Sequence, residues 1–177
     1  MAAPDQSGRY LVALGSNVRH PRFGKPQNVV RAALAAFERT AGLRLVAASP
    51  IVASAPLGRA RRRYANAAAI VASALEPPQM LTVLQAMEDR FGRVRRGARW
   101  GARTLDVDLV LWSEGPWVSP GLTVPHPAFR ARAFVLGPAR AIAPRWRDPL
   151  SGLAIAHLAA RLTRPRPTRN PRGGTGP

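Results

Sequence analysis

The chain has 177 residues, enough for one domain with a real core. It carries 27 basic residues against 9 acidic ones, a net charge of +18, and Lys25 is its single lysine. No cysteine is present, which excludes disulfides, thiolate metal sites and thiol nucleophiles. No run is long and apolar enough to span a membrane, and the polar start MAAPDQSGRY carries no signal-peptide pattern, so a cytoplasmic protein is expected. The positive charge fits a nucleic-acid partner, a phosphate-rich small ligand, or a solvated surface in an arginine-biased sequence.

In chain order, 9-RYLVALGSN-17 reads as a buried first strand ending in a Gly15-Ser16-Asn17 turn signal. A loop follows. From Gln27 to Ala41 the positions Val30, Ala33, Leu34, Phe37 and Ala41 keep helical spacing, and Gly42 stops the helix. The segment 43-LRLVAASPIVAS-54 reads as a second strand interrupted at Pro50. The loop 55-APLGRARRR-63 precedes 64-YANAAAIVASAL-75, a third strand for which helix competes because of its alanines.

Pro77-Pro78 opens a helix that runs to about Phe91, with Gly92 as its stop. A basic loop leads to a fourth strand, 104-TLDVDLVLW-112. The order β-α-β-β-α-β predicts an α+β, ferredoxin-like antiparallel sheet with helices on one face. A C-terminal hairpin within 113–127 and short helices at 133–143 and 153–162 should complete a single domain over 1–163. The tail 164-RPRPTRNPRGGTGP-177 has nothing to bury and is expected to be disordered.

Two aspartates stand out. By strand alternation Asp106 and Asp108 share one face, while Leu105, Val107, Leu109 and Leu111 point to the other. Paired carboxylates repel unless a cation lies between them, so the pair can clamp a divalent ion, and oxygen ligands suit Mg²⁺. The pattern equally fits a solvent-facing strand whose aspartates pair with arginines. The preceding loop, 92-GRVRRGARWGAR-103, brings Arg93, Arg95, Arg96, Arg99 and Arg103. Guanidinium forks match phosphate oxygens, although a solvated surface or an RNA-binding patch reads the same way.

Glu88 falls on the apolar side of its helix, beside the stripe Met80, Leu84, Met87 and Phe91, with Gln85 at the stripe's edge. A carboxylate there must be paired or functional, and a salt bridge to a loop arginine is the simplest case. His126 between two prolines is structural or a phosphate donor. Tyr64 and Asn66 share a strand face, and Asn can pair with a flat heterocycle. No Walker or kinase glycine loop occurs.

Four stretches then carry a resemblance: 13-ALGSN-17; 54-SAPLG-58 with 64-YANAA-68; 88-EDRFGRVRRGARWGARTLDVDL-109; and 124-VPHPAFRARAFVL-136. Over about residues 9 to 162 the chain resembles the 6-hydroxymethyl-7,8-dihydropterin pyrophosphokinases of folate synthesis. The resemblance implies a ferredoxin-like fold and Mg²⁺-dependent transfer of pyrophosphate from ATP to the pterin hydroxymethyl group, with release of AMP. It implies that Asp106 and Asp108 hold two Mg²⁺ ions and that Arg93 and Arg103 hold phosphates in the transition state. Gln85, Glu88, Arg95, Arg99, Trp100, Leu109, His126 and Arg132 match ATP-site positions. Ser54, Leu57, Tyr64, Asn66 and Phe134 match pterin-site positions, with Phe134 stacking on the ring.

Ala102, Pro127 and Ala55 depart from the family pattern, but no metal ligand or core arginine is lost. The resemblance further implies that ATP binds before the pterin and that the arginine loops close on the bound pair. A stand-alone monomer with small-molecule substrates and no nucleic-acid or membrane partner is expected. The alternatives are a catalytically silent relative and a basic RNA-binding α+β module. The latter lacks the aromatic RNA-stacking motif of such sheets.

Overall fold

The computed structural model describes residues 7–54, 64–92 and 104–164. The first strand, β1 (Gly8–Ser16), lies at the centre of the molecule, antiparallel to β4 (Tyr64–Ser73) on one side and β5 (Asp106–Trp112) on the other. β2 (Arg44–Ala48) and β3 (Val52–Ser54) both pair with β4, which sets the order β2-β4-β1-β5 with β3 on β4. The single interrupted strand read over 43–54 is therefore two short ones. Ser49 bridges the break: it accepts from the Ala68 N–H and donates to the Pro50 carbonyl through its hydroxyl, both at 2.9 Å.

The alanine-rich third segment is a strand, not a helix. β4 is held along its length between β1 and the β2/β3 pair, and every residue after Tyr64 is buried. Tertiary pairing overrides the helical preference of alanine here. β1 likewise runs further than its glycine suggested. Gly15 pairs with Asn66 and with Asp106 inside the sheet, in ordinary extended backbone and not in a turn.

Helix α1 (Pro26–Glu38) buries Val29, Val30, Ala33 and Phe37. It stops three residues earlier than expected; Gly42, with φ +78°, belongs to the turn that enters β2. Helix α2 (Pro77–Arg90) opens on two prolines, and its stripe of Met80, Leu84, Met87 and the following Phe91 is buried as predicted. Gln79 Oε1 accepts from the Glu76 N–H at 3.0 Å, satisfying one of the backbone groups at its start.

Both helices pack on one face of the sheet, against Tyr10, Val12 and Leu14 of β1, Ala65, Ala67, Ala69 and Val71 of β4, and Val107 and Leu109 of β5. The predicted hairpin is present as β6 (Trp117–Ser119) and β7 (Leu122–Val124). The short helices are α3 (Ala133–Ile142) and α4 (Ile155–Thr163). They form a second core on the other face with Leu11, Ala13, Ala68, Ile70 and Val110. Both sides of the sheet are thus covered. Ion pairing adds to this second layer: Arg130 grips the fully buried Asp148 with two bonds of 2.7 and 2.6 Å.

One alternation argument fails. Leu111 faces the α3/α4 layer together with Val110, because the β1–β5 register slips at a bulge between Leu11 and Val12. Two residues of β5 there oppose one of β1, so the side chains beyond the bulge change face. Among the described residues, no helix is long and apolar enough to cross a membrane.

Candidate functional site

Upstream of the bulge the alternation holds. Val107 and Leu109 enter the α1/α2 core, so Asp106 and Asp108 face the α3 side, where both are partly exposed. Asp108 Oδ2 accepts a 2.8 Å bond from Arg132 Nη1, at the start of α3. His126 is held beside β5 by its own N–H, which donates to the Val110 carbonyl at 3.0 Å. Its Nε2 stands 3.9 Å from Asp108 Oδ2, too far for a direct hydrogen bond.

The His126 Nδ1 accepts from the Ala128 N–H at 3.1 Å, which leaves the proton of a neutral ring on Nε2, toward Asp108. Burial holds its pKa below the ordinary histidine value; Asp108 opposes that shift and Arg132 reinforces it. His126 is therefore a neutral donor at pH 7.

Arg132 has a second neighbour. Its guanidinium carbon lies 5.7 Å from the centroid of the Phe134 ring, two residues along the chain. Phe134 in turn lines a cavity of about 450 Å³ between β3 and α3, with Val52, Ala53, Ser54 and Pro138. The Ser54 hydroxyl accepts a 2.7 Å bond from Asn66 Nδ2, and Asn66 is only 3 % exposed. Tyr64, half-buried at the start of β4, pairs with Ser54 in register. The structure thus brings Ser54 and Phe134 to one cavity, with Asn66 buried behind Ser54, and Asp106, Asp108, His126 and Arg132 to the β5 edge of the same sheet face.

Glu88 has a different setting. It is buried, and its Oε1 accepts from the Val107 N–H at 2.7 Å. In an antiparallel pair, alternate N–H groups of a strand point away from the partner. Val107 lies between the two aspartates, so Glu88 ties down the outer edge of β5 at that point. Gln85 lies half-buried one turn earlier on α2. The Leu109 side chain is 4 % exposed, in the α1/α2 core. Arg93, Arg95, Arg99, Trp100, Arg103 and Leu57 fall outside the described residues.

The donor chemistry fits Mg²⁺. Two carboxylates share a partly exposed face, and Arg132 engages one oxygen of Asp108. Among the described residues no group of three His, Cys, Asp or Glu forms a complete protein cage. Mg²⁺ needs none, since it commonly takes one or two carboxylates and completes its shell with phosphates and water.

The sequence did not show two contacts, the Arg132 grip on Asp108 and the Glu88 bond to β5.

The model of the 7,8-dihydro-6-hydroxymethylpterin-pyrophosphokinase family matches residues 11–144. The chain is 47 % identical over 142 residues to a 2-amino-4-hydroxy-6-hydroxymethyldihydropteridine pyrophosphokinase of Pseudomonas aeruginosa, covering 80 % of this chain and 84 % of that one. It is 36 % identical over 155 residues to the protein of the same name from Synechocystis, covering 88 % and 76 %. A Plasmodium falciparum HPPK-DHPS triple mutant solved with pteroate superposes with a TM-score of 0.68 at 10 % identity, which shows the fold alone. That match covers 90 % of this chain, which spans 44 % of the solved one.

Proposed function

The chain belongs to the 7,8-dihydro-6-hydroxymethylpterin-pyrophosphokinase family, and from that premise we propose how its residues divide the work of the reaction. The enzyme moves pyrophosphate from ATP to the hydroxymethyl oxygen of 6-hydroxymethyl-7,8-dihydropterin, for folate synthesis. The departing group is AMP.

Asp106 and Asp108 hold Mg²⁺, two ions in the full complex. When bound, the metal neutralises polyphosphate charge and polarises the attacked phosphoryl group. Arg132 fixes the orientation of Asp108, and the neutral His126 beside it contacts ATP together with Arg132. Phe134 stacks on the pterin, Asn66 reads its hydrogen-bonding edge, and Ser54 holds Asn66. Tyr64 and Leu57 complete the pterin pocket. Arg93 and Arg103 take the charge that develops in transfer, and Arg95, Arg99, Trp100, Gln85 and the Leu109 backbone hold ATP. Glu88 acts at one remove, by securing β5. Chemistry of this type depends on positioning and on preorganised charge more than on a strong base.

The observation that carries this reading is Arg132. It bridges from the Asp108 carboxylate to the ring of Phe134, so the phosphate end and the pterin end meet at one side chain. The reading extends to a cytoplasmic monomer that binds small molecules and no nucleic acid. Against RNA as a partner, helices among the described residues cover both faces of the sheet, where bases would have to stack.

The test is AMP formation from ATP and Mg²⁺, with and without 6-hydroxymethyl-7,8-dihydropterin. Pterin-dependent AMP that disappears with EDTA is expected. ADP as product would move the attacked phosphorus, and salt-sensitive RNA binding without turnover would replace the reading.

A further inference from the structure

Gly15 stands in the middle of a row across the sheet. Asn66 of β4 pairs with it on one side and Asp106 of β5 on the other. The three share the α3 face, since Leu14, Ala65, Ala67 and Val107 enter the opposite core. Two interstrand spacings separate the outer residues, about 10 Å between backbones. At one end is the amide assigned to the pterin edge; at the other is a carboxylate assigned to the metal and phosphates.

Nothing in the backbone asks for glycine at this position. Gly15 has no positive φ and is paired on both sides. Glycine inside a strand costs stability and often marks a place where a ligand comes close to the main chain. Nor does packing demand it in the way that Gly8 is demanded, where a Cβ would come within 2.7 Å of Trp112 Nε1. A Cβ on Gly15 would meet one atom, Asn66 Oδ1, at 3.4 Å. Gly15 is also partly exposed, unlike the buried Leu14 and Ser16 beside it. The missing side chain therefore leaves an open floor between the ring-reading amide and the metal-binding carboxylate.

We propose that Gly15 is a specificity-determining residue: its bare backbone is the floor under the pterin's hydroxymethyl arm, the part that must reach from Asn66 toward Asp106. The inference rests on the pyrophosphokinase reading above. A methyl group at residue 15 would stand in the path of the arm while leaving the ring pocket at Phe134 and Ser54 intact.

The wild-type AMP assay comes first, so that failure of the general reading is seen separately and removes this proposal with it. Gly15→Ala is then compared with wild type for KM and kcat, for melting temperature, and for binding of two probes in the presence of Mg²⁺ and a non-hydrolysable ATP analogue. One probe is 6-hydroxymethyl-7,8-dihydropterin; the other is 7,8-dihydropterin, which lacks the arm. The expected result is a rise of roughly tenfold or more in KM for the hydroxymethyl substrate, the scale of one misplaced methyl group in a tight pocket. ATP KM should stay within about twofold on the same scale, the melting temperature should hold or rise, and binding of the armless probe should be retained.

Equal weakening of both probes would locate the effect at Asn66 and overturn the proposal, as would unchanged KM. If the variant does not fold, the wild-type protein still decides the matter. A nuclear Overhauser contact between the substrate's carbinol protons and the Gly15 α-protons is expected in the ternary complex. Its absence while ring contacts to Phe134 are seen would refute the assignment.

Discussion

Replacing Glu88 separates two opposing effects on this fold. The carboxylate is 3 % exposed and accepts the Val107 N–H at 2.7 Å. Its burial costs several kcal/mol of hydration, and exchanging buried charge for apolar volume is often neutral or stabilising. Against that, a hydrogen bond to a charged group contributes about 1.5–3 kcal/mol, and a buried donor left without a partner costs about 1–3 kcal/mol. These costs overlap and do not add. Glu88→Leu removes charge and acceptor together while the Val107 N–H stays buried, so a net loss of about 2–3 kcal/mol is expected.

Glu88→Gln removes the charge but keeps a carbonyl oxygen, and should lose about 1 kcal/mol. At this chain length the Leu variant should melt about 5–10 °C below wild type. The assay is urea and thermal unfolding of the three proteins in parallel. Val107 lies between Asp106 and Asp108, so the Leu variant should also need more Mg²⁺ for half-maximal AMP formation. A Leu variant as stable as the Gln variant, or more so, would refute the reasoning: desolvation would then outweigh the bond to β5.

Asp108→Ala should lower turnover by at least ~10²-fold at saturating Mg²⁺, the scale of one preorganised charge-stabilising group, and turnover near wild type would sink the metal assignment. Asp148→Ala should destabilise the protein by about 3 kcal/mol in urea unfolding, because it breaks a buried ion pair, with some relief where Arg130 reaches water. Burial pushes the Asp148 carboxyl up, but bonds from Arg130, Ser151 and the Leu150 N–H outweigh it and leave the pKa below the usual carboxylate value of 3.8. The folded state therefore binds this proton less readily than the unfolded chain. The stability it contributes is complete above pH 3.8 and is lost as pH falls through the folded pKa, a slope that Asp148→Asn should flatten in acid titration.

Much of this protein is legible from local pattern. Apolar spacing marked α1 and α2, proline and glycine marked most of their ends, and the order of elements implied the sheet. Two aspartates at a spacing of two implied a shared face, because alternation is a property of the strand itself. The same logic failed at Leu111, where a bulge set by pairing with β1 moves the side chain across the sheet. It read 64–75 as a strand but left helix as a competitor for its alanines, since a strand held on both sides owes its state to its neighbours.

The long-range contacts could not be read at all. That Arg132 grips Asp108, that Glu88 holds the edge of β5 from below, and that Gly15 lies between Asn66 and Asp106 depend on pairings between segments far apart in the chain. Sequence determined which residues could bind phosphate, metal and a flat ring. Only the packing of α3 against the sheet decided which of them meet, because register and layer order are set by burial of both sheet faces at once and not by any one segment.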